Sequence, residues 1–275
     1  MKSTALLLLF TLYLNHQAFG QKKPVILEGT VKIGEHRAMK AAEVNIKEWI
    51  IFILANHYDS TLFPNLNLLS EQAQLLFIDL KKEKDFDYLK ISKKLDQDLG
   101  NIETVEETSR FANLCKKDSI EFSIISTPIT GITYAQTNRY CAWLETLVTK
   151  QRQIDISISL PTDWMYKYVN PNLDSLNRKG CALFNFIHCH CISQTKKDYN
   201  QILGKRLVIA DAYFPSDFGI YNLQGNAAEM TNIEGIAMGG SFKHYAKASY
   251  SNQVQHYSGA EEWLGFRYIV NIPTR

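Results

Sequence analysis

Apolar and polar residues alternate between glycines in VILEGTVKIGEH at residues 25–36, and that two-residue period predicts a strand followed by a turn. The period then lengthens. In AAEVNIKEWIIFILANHY, Asn45 stands where a helix N-cap belongs, and Trp49, Phe52 and Ile53 share one face, so a helix follows the strand. A second helix is predicted from about Tyr134 to Lys150. Thr133 and Gln136 form a T-x-x-Q capping box, and Tyr140, Trp143, Leu144 and Leu147 repeat at helical spacing behind it. DISISL at 155–160 predicts a short strand, after which Pro161-Thr162 opens a short helix with Thr162 as cap and Trp164 and Tyr168 on one side. Strands are predicted again at 236–242 and 265–272; in the second, Phe266, Tyr268, Val270 and Ile272 alternate toward one face. Between about residues 60 and 126 the pattern weakens into helical spacing broken by charged pieces, which predicts a mostly helical or irregular surface insertion. The class implied is α+β, loop-rich, with short sheets, a few helices and no repeat.

The first residues change the setting. MKSTALLLLFTLYLNHQAFGQKK carries one lysine, an apolar run and small residues suited to cleavage, and predicts a signal peptide over residues 1–20. About ten apolar residues cannot cross a ~30 Å hydrocarbon core, so no membrane span is expected there. The first cysteine is Cys115, so no lipid anchor is expected after the cleavage point. The expectation is an exported protein, secreted or periplasmic. Losing Lys2 moves the formal charge from +2 (30 − 28) to +1 (29 − 28), a balance that gives no electrostatic case for nucleic acid or anionic membranes.

Candidate chemistry read from the residues themselves gathers in two stretches. YNLQGNAAEM at 221–230 places Asn222, Gly225, Asn226 and Glu229 within eight positions. Spacing alone allows two readings: an Asn/Gly turn leading into a helix with Glu229 in solvent, or a curled loop that aims several oxygens at a hard cation, with Gly225 and Asn226 tolerating positive φ. His188-Cys189-His190-Cys191 offers imidazole and thiolate, but four consecutive residues cannot all face one ion. A disulfide drawn from Cys181, Cys189 or Cys191 is the preferred reading in an exported chain. No G-x-S-x-G elbow, P-loop or H-E-x-x-H is present.

Five fragments stand in order: AEVNIKEWIIFI, PITGITYAQTNRYCAWL, SLPTDWMYKYV, AYFPSDFGIYNLQGNAAEM, and MGGSF with GFRYIV after it. Together they resemble the sulfatase-modifying-factor family, the formylglycine-generating enzymes and their relatives. The resemblance implies a single C-type-lectin-like domain over residues 24–275, interrupted by the insertion at about 60–126, and bound calcium. Mapped one position at a time, calcium would be held by Asn222, the carbonyls of Gly225 and Ala227, and Glu229. A second calcium would map to Asn185, the carbonyl of Phe186, and Asp198. The family's copper-binding thiolates follow R-G-G-S, and GGSFKHYAKAS puts His244 and Ser249 at those positions. A serine hydroxyl is neither soft nor ionised, so copper is not expected. Met238 replaces the family arginine, and Ala228 and Met230 replace the tryptophans beside Glu229. The family's partner for Cys141 is Tyr268 here, which implies a buried, unpaired Cys141. The iron-dependent sulfoxide-forming branch has an H-x-x-x-H-x-E segment that this chain lacks.

The resulting expectation is a binding or structural component of an extracytoplasmic, cell-surface assembly of gliding or secretion type. It would be a pseudoenzyme with a protein partner in the envelope, for which the insertion offers a surface. The competing expectation is an oxidoreductase or other enzyme of altered chemistry, with Ser241, His244 and Ser249 lining the old active-site groove.

Overall fold

The computed structural model describes residues 27–83, 120–170, 185, 207–213, 215–244, 246–250 and 252–272. Residues 1–26, which include the expected signal peptide, lie outside the described residues. No helix among the described residues is long and apolar enough to cross a membrane.

The opening alternation forms a hairpin, β1 (Thr30–Gly34) and β2 (Arg37–Lys40), paired antiparallel. The chain returns to it at its other end. Strand β8 (Ile269–Asn271) pairs with β2 on one side and with β3 (Ser157–Ser159) on the other, giving a sheet of order β1-β2-β8-β3. Both faces of that sheet are apolar. Ala38, Val270 and Ile158 lie in register and join the main core, while Met39 and Ile269, one position along, join a second cluster with Met165, Tyr166 and Val169. The half-buried strand predicted for residues 265–272 is therefore buried on both faces.

That predicted strand is also divided. Leu264–Gly265 forms β7 of a separate sheet, parallel to β4 (Ala228–Met230), and β4 pairs antiparallel with β5 (Ile236–Met238), beside which lies β6 (Gln255–His256). Between β7 and β8 the backbone leaves one sheet for the other, with Phe266 and Tyr268 in the main core and Arg267 buried. The strand predicted to reach residue 242 stops at Met238, because Gly239 (φ 90°) and Gly240 (φ 68°) turn the chain.

Two capped helices fill the main core. Helix α1 (Ile46–Ala55) begins at Asn45, whose Oδ1 accepts from Glu48 N–H at 2.9 Å while Glu48 Oε2 accepts from Asn45 N–H at 3.1 Å. Two helices intervene, α2 (Glu71–Glu83) and α3 (Ile120–Ile125), before α4 (Tyr134–Arg152), which carries the reciprocal Thr133/Gln136 box and ends at Gln153 in a left-handed conformation. Trp49 of α1 stacks on Tyr140 of α4 at 5.7 Å, and Phe266 meets Tyr140 edge-on at 5.4 Å. The described parts of the expected surface insertion also enter this core, since Leu62 and Phe77 are wholly buried. The apolar positions of α2 recur every three or four residues, Ala73, Phe77 and Leu80, and bury one face. Helix α5 (Asp163–Val169), capped by Thr162, buries Met165, Tyr166 and Val169 and turns Trp164 and Tyr168 to solvent. The fold is α+β with short sheets, a few helices and long loops.

Candidate functional site

Residues 221–230 curl before they extend. Asn222, Gly225 and Asn226 take φ of 50°, 75° and 58°, after which the chain enters strand β4 and not the helix that the turn reading foresaw. The curl is pinned to the Gly239–Gly240 turn: Gly225 N–H donates to Gly239 O at 2.8 Å, and Phe242 N–H donates to Asn226 O at 2.9 Å. A Cβ on Gly239 would lie 3.0 Å from Leu223 O, so glycine is required there by φ and by contact.

Behind the curl lies a buried polar network centred on Arg267. Its Nε and Nη2 donate to Glu229 Oε2 and Oε1, each at 2.5 Å. Nη2 also donates to Tyr221 O at 2.8 Å, and Nη1 donates to Lys40 O and Ala41 O at 3.1 and 3.2 Å. One bond from Nε and two from each terminal nitrogen use all the N–H donors a guanidinium has. Tyr166 O–H donates to Glu229 Oε2 as well. Arg267, Glu229 and Tyr166 are essentially closed to solvent. Burial alone would weaken the hold of Arg267 on its proton, but the Glu229 charge and its hydrogen bonds outweigh this and raise its pKa above the ordinary range. Burial, reinforced by the Glu229 charge, pushes the Tyr166 hydroxyl well up.

A second carboxylate, Glu43, completes the network. It is wholly buried in the segment after β2, and its Oε2 and Oε1 accept from the side-chain amides of Asn222 at 3.1 Å and Asn226 at 3.0 Å. Burial, with the Glu229 charge adding to it, raises its pKa from 4.5 to about 8. Asn226 also binds Val208 on both sides of its amide and accepts from Asn185 Nδ2 at 3.2 Å, so one side chain joins three separate chain segments.

The sequence-derived ligand sets can now be placed. Asn222, Gly225, Ala227 and Glu229 do lie in one curl and strand. Asn222 Oδ1 is buried without a hydrogen-bond partner, as is Gln224 Oε1. Glu229, the single carboxylate of the set, faces Arg267 with both oxygens. As a calcium donor set the four positions fit at Asn222 and do not fit at Glu229. Of the second set, Asn185 is buried and its carbonyl accepts from Asn226 N–H at 3.0 Å; Phe186 and Asp198 lie outside the described residues. His188, Cys189, His190 and Cys191, with Cys115 and Cys181, also lie outside them. Cys141 is buried and unpaired, and burial pushes its thiol up to about 12. Glu43 was not singled out from the sequence; its signal is the E-V-N at 43–45 just ahead of the α1 cap. Arg267, the arginine of the GFRYIV fragment, serves internal pairing.

The expected groove positions form a local turn. Ser241 Oγ accepts from Lys243 N–H at 3.1 Å and lies 2.7 Å from His244 Nδ1, and His244 N–H donates to Ser241 O at 2.9 Å. Ser241 is wholly buried. His244 is half-buried against the Trp263 edge at 4.8 Å, and burial lowers its pKa. Ser249 is buried under Gly240, whose added Cβ would lie 3.2 Å from Ser249 N.

No protein-family model and no curated protein matches the chain. Among solved structures it is similar to Treponema denticola variable protein 1, at 12% identity and a TM-score of 0.39 over 55% of this chain and 73% of that one. It is similar also to PvdO from Pseudomonas aeruginosa, at 14% identity and 0.39 over 54% and 63%. A third is CarF, at 16% identity and 0.38 over 58% and 71%. The match to PvdO thus spans less than two thirds of that chain.

Proposed function

We propose that this chain is an exported, sulfatase-modifying-factor-like protein that acts by binding, as a component of an extracytoplasmic, cell-surface assembly, and that it performs no chemistry at residues 239–249. The observation that carries this reading is the burial of Ser241. A nucleophile must come within about 3–3.5 Å of a substrate atom, and a hydroxyl with 0% exposure, already accepting from Lys243 N–H and bonded to His244, offers no such approach. Its bonds are those of a serine capping its own turn.

The surface of α5 supports the binding half of the reading. Trp164 and Tyr168 stack at 5.4 Å with 12° between their planes, Tyr168 meets Phe218 at 5.3 Å, and the first two are 57% and 45% exposed. Large rings open to water are the residues that most often anchor protein contacts. Affinity purification of the tagged full-length protein from its native envelope tests this. A defined envelope protein should co-purify with the wild type and be lost with Trp164→Ala/Tyr168→Ala. Recovery of the chain alone in both cases would contradict the reading.

The Ser241–His244 bond at 2.7 Å favours the competing reading, an enzyme of altered chemistry. Complementation of a knockout separates the two. Full rescue by His244→Ala and Ser249→Ala excludes catalysis in that segment, and loss of rescue by well-folded variants establishes it.

A further inference from the structure

We propose that in this chain the Arg267 guanidinium stands in for a calcium ion: it supplies the positive charge and the cross-links that hold the curl at 221–229 to strand β4, and the curl closes without metal.

The geometry is specific. A cation in the curl would have to draw the loop's start and Glu229 to one centre. Arg267 already does so, because Nη2 donates both to Tyr221 O, one residue before Asn222, and to Glu229 Oε1. Its other donors tie the same centre to Lys40 O and Ala41 O at the end of the hairpin. For Glu229 to ligate calcium it would have to give up two charge-assisted bonds. That would leave a buried guanidinium facing carbonyls alone and bring a divalent ion beside it.

Glu43 is no substitute ligand. The groups that Asn222 and Asn226 turn toward its oxygens are N–H donors, not oxygens, so an ion approaching that carboxylate meets positive dipole ends. Asn222 Nδ2 is further fixed by Ala210 O at 2.8 Å, which opposes a reversal of the amide. What remains is neutral: the orphaned amide oxygens Asn222 Oδ1 and Gln224 Oε1 and the main-chain carbonyls of Gly225 and Ala227. Four neutral oxygens with no free carboxylate fall short of the roughly 6–8 ligands, carboxylates among them, that calcium takes.

The test is calcium binding by the purified protein, measured by titration calorimetry for the wild type and Glu229→Gln, together with the melting temperature of Arg267→Met with and without calcium. The expected result is no stoichiometric binding in the wild type that Glu229→Gln removes, and a raised melting temperature for Arg267→Met when calcium is added, because the buried Glu229 carboxylate then lacks its counter-charge and can take an ion instead. Binding that persists unchanged in Glu229→Gln belongs elsewhere on the chain and leaves the proposal standing. Stoichiometric wild-type binding abolished by Glu229→Gln overturns it, whether or not Arg267→Met folds.

Discussion

The Arg267 network and the turn at 239–249 adjoin each other, joined through Gly225–Gly239 and Asn226–Phe242, yet they are built from opposite kinds of contact. In the network, bonds join residues far apart in the chain: Arg267 to Lys40 and to Glu229, Asn226 to Glu43. In the turn, Ser241 binds Lys243 and His244, two and three positions away. A network of long-range buried charges contributes to the whole fold and fails as a unit, whereas a local turn can lose a side chain and be held by its backbone. The residues whose chemical type suggests function, Ser241 and His244, are thus bonded locally, whereas Arg267, Glu229 and Glu43 tie distant parts of the chain together.

The largest way to break that contrast is Arg267→Met. Removing one partner of a buried pair leaves the Glu229 carboxylate without its counter-charge, and a loss of about 3–5 kcal/mol in urea unfolding is expected. Glu229→Gln strands the buried guanidinium in the same way and should cost a comparable amount.

A smaller but more diagnostic effect is pH. The Glu43 carboxyl sits near 8 in the folded chain against an ordinary 4.5. Between those values the native state holds a proton that the unfolded state has released, so this contribution is full below about 4.5 and is lost as pH rises to about 8. Urea midpoints in chelated buffer should fall across that window, and Glu43→Gln should flatten the fall. A stability that rises across the window for the wild type, with Glu43→Gln making no difference, would remove Glu43 from the network.

Below these lies the cap of α4. Thr133→Ala removes the acceptor for Gln136 N–H and should cost about 1 kcal/mol. Smallest is Trp164→Ala on the exposed face of α5, which should change stability by no more than about 0.5 kcal/mol while weakening retention of a partner. A large stability loss there would mean that the ring is packed, and the binding reading would lose its surface.

Much of the framework was legible because it is written in local signals. The Asn45 and Thr133 caps, the apolar faces behind them and the α+β class need only neighbouring residues to specify them. The division of residues 264–271 between two sheets was not legible, because alternation continues through Phe266, Tyr268 and Val270 and nothing local marks the change of partner. The insertion was read as surface for a similar reason: its charged character hid Phe77, which a distant core buries. For the candidate site, the curl and its positive-φ residues followed from Asn and Gly at their spacing. The orientation of Glu229 did not, because whether a carboxylate faces a loop or a guanidinium 38 positions away is settled by tertiary contact. Glu43 escaped notice on the same ground, lying 183 positions from the amide of Asn226 that it accepts from.

The most direct test of the account is thermal unfolding of the wild-type protein after exhaustive treatment with a calcium chelator, compared with the same protein in millimolar calcium. Since a ligand that binds only the native state raises its melting temperature by mass action, the two curves should superimpose if Arg267 closes the curl. A lower melting temperature in chelator, restored by calcium and absent in Glu229→Gln, would show that an ion and not the guanidinium holds it.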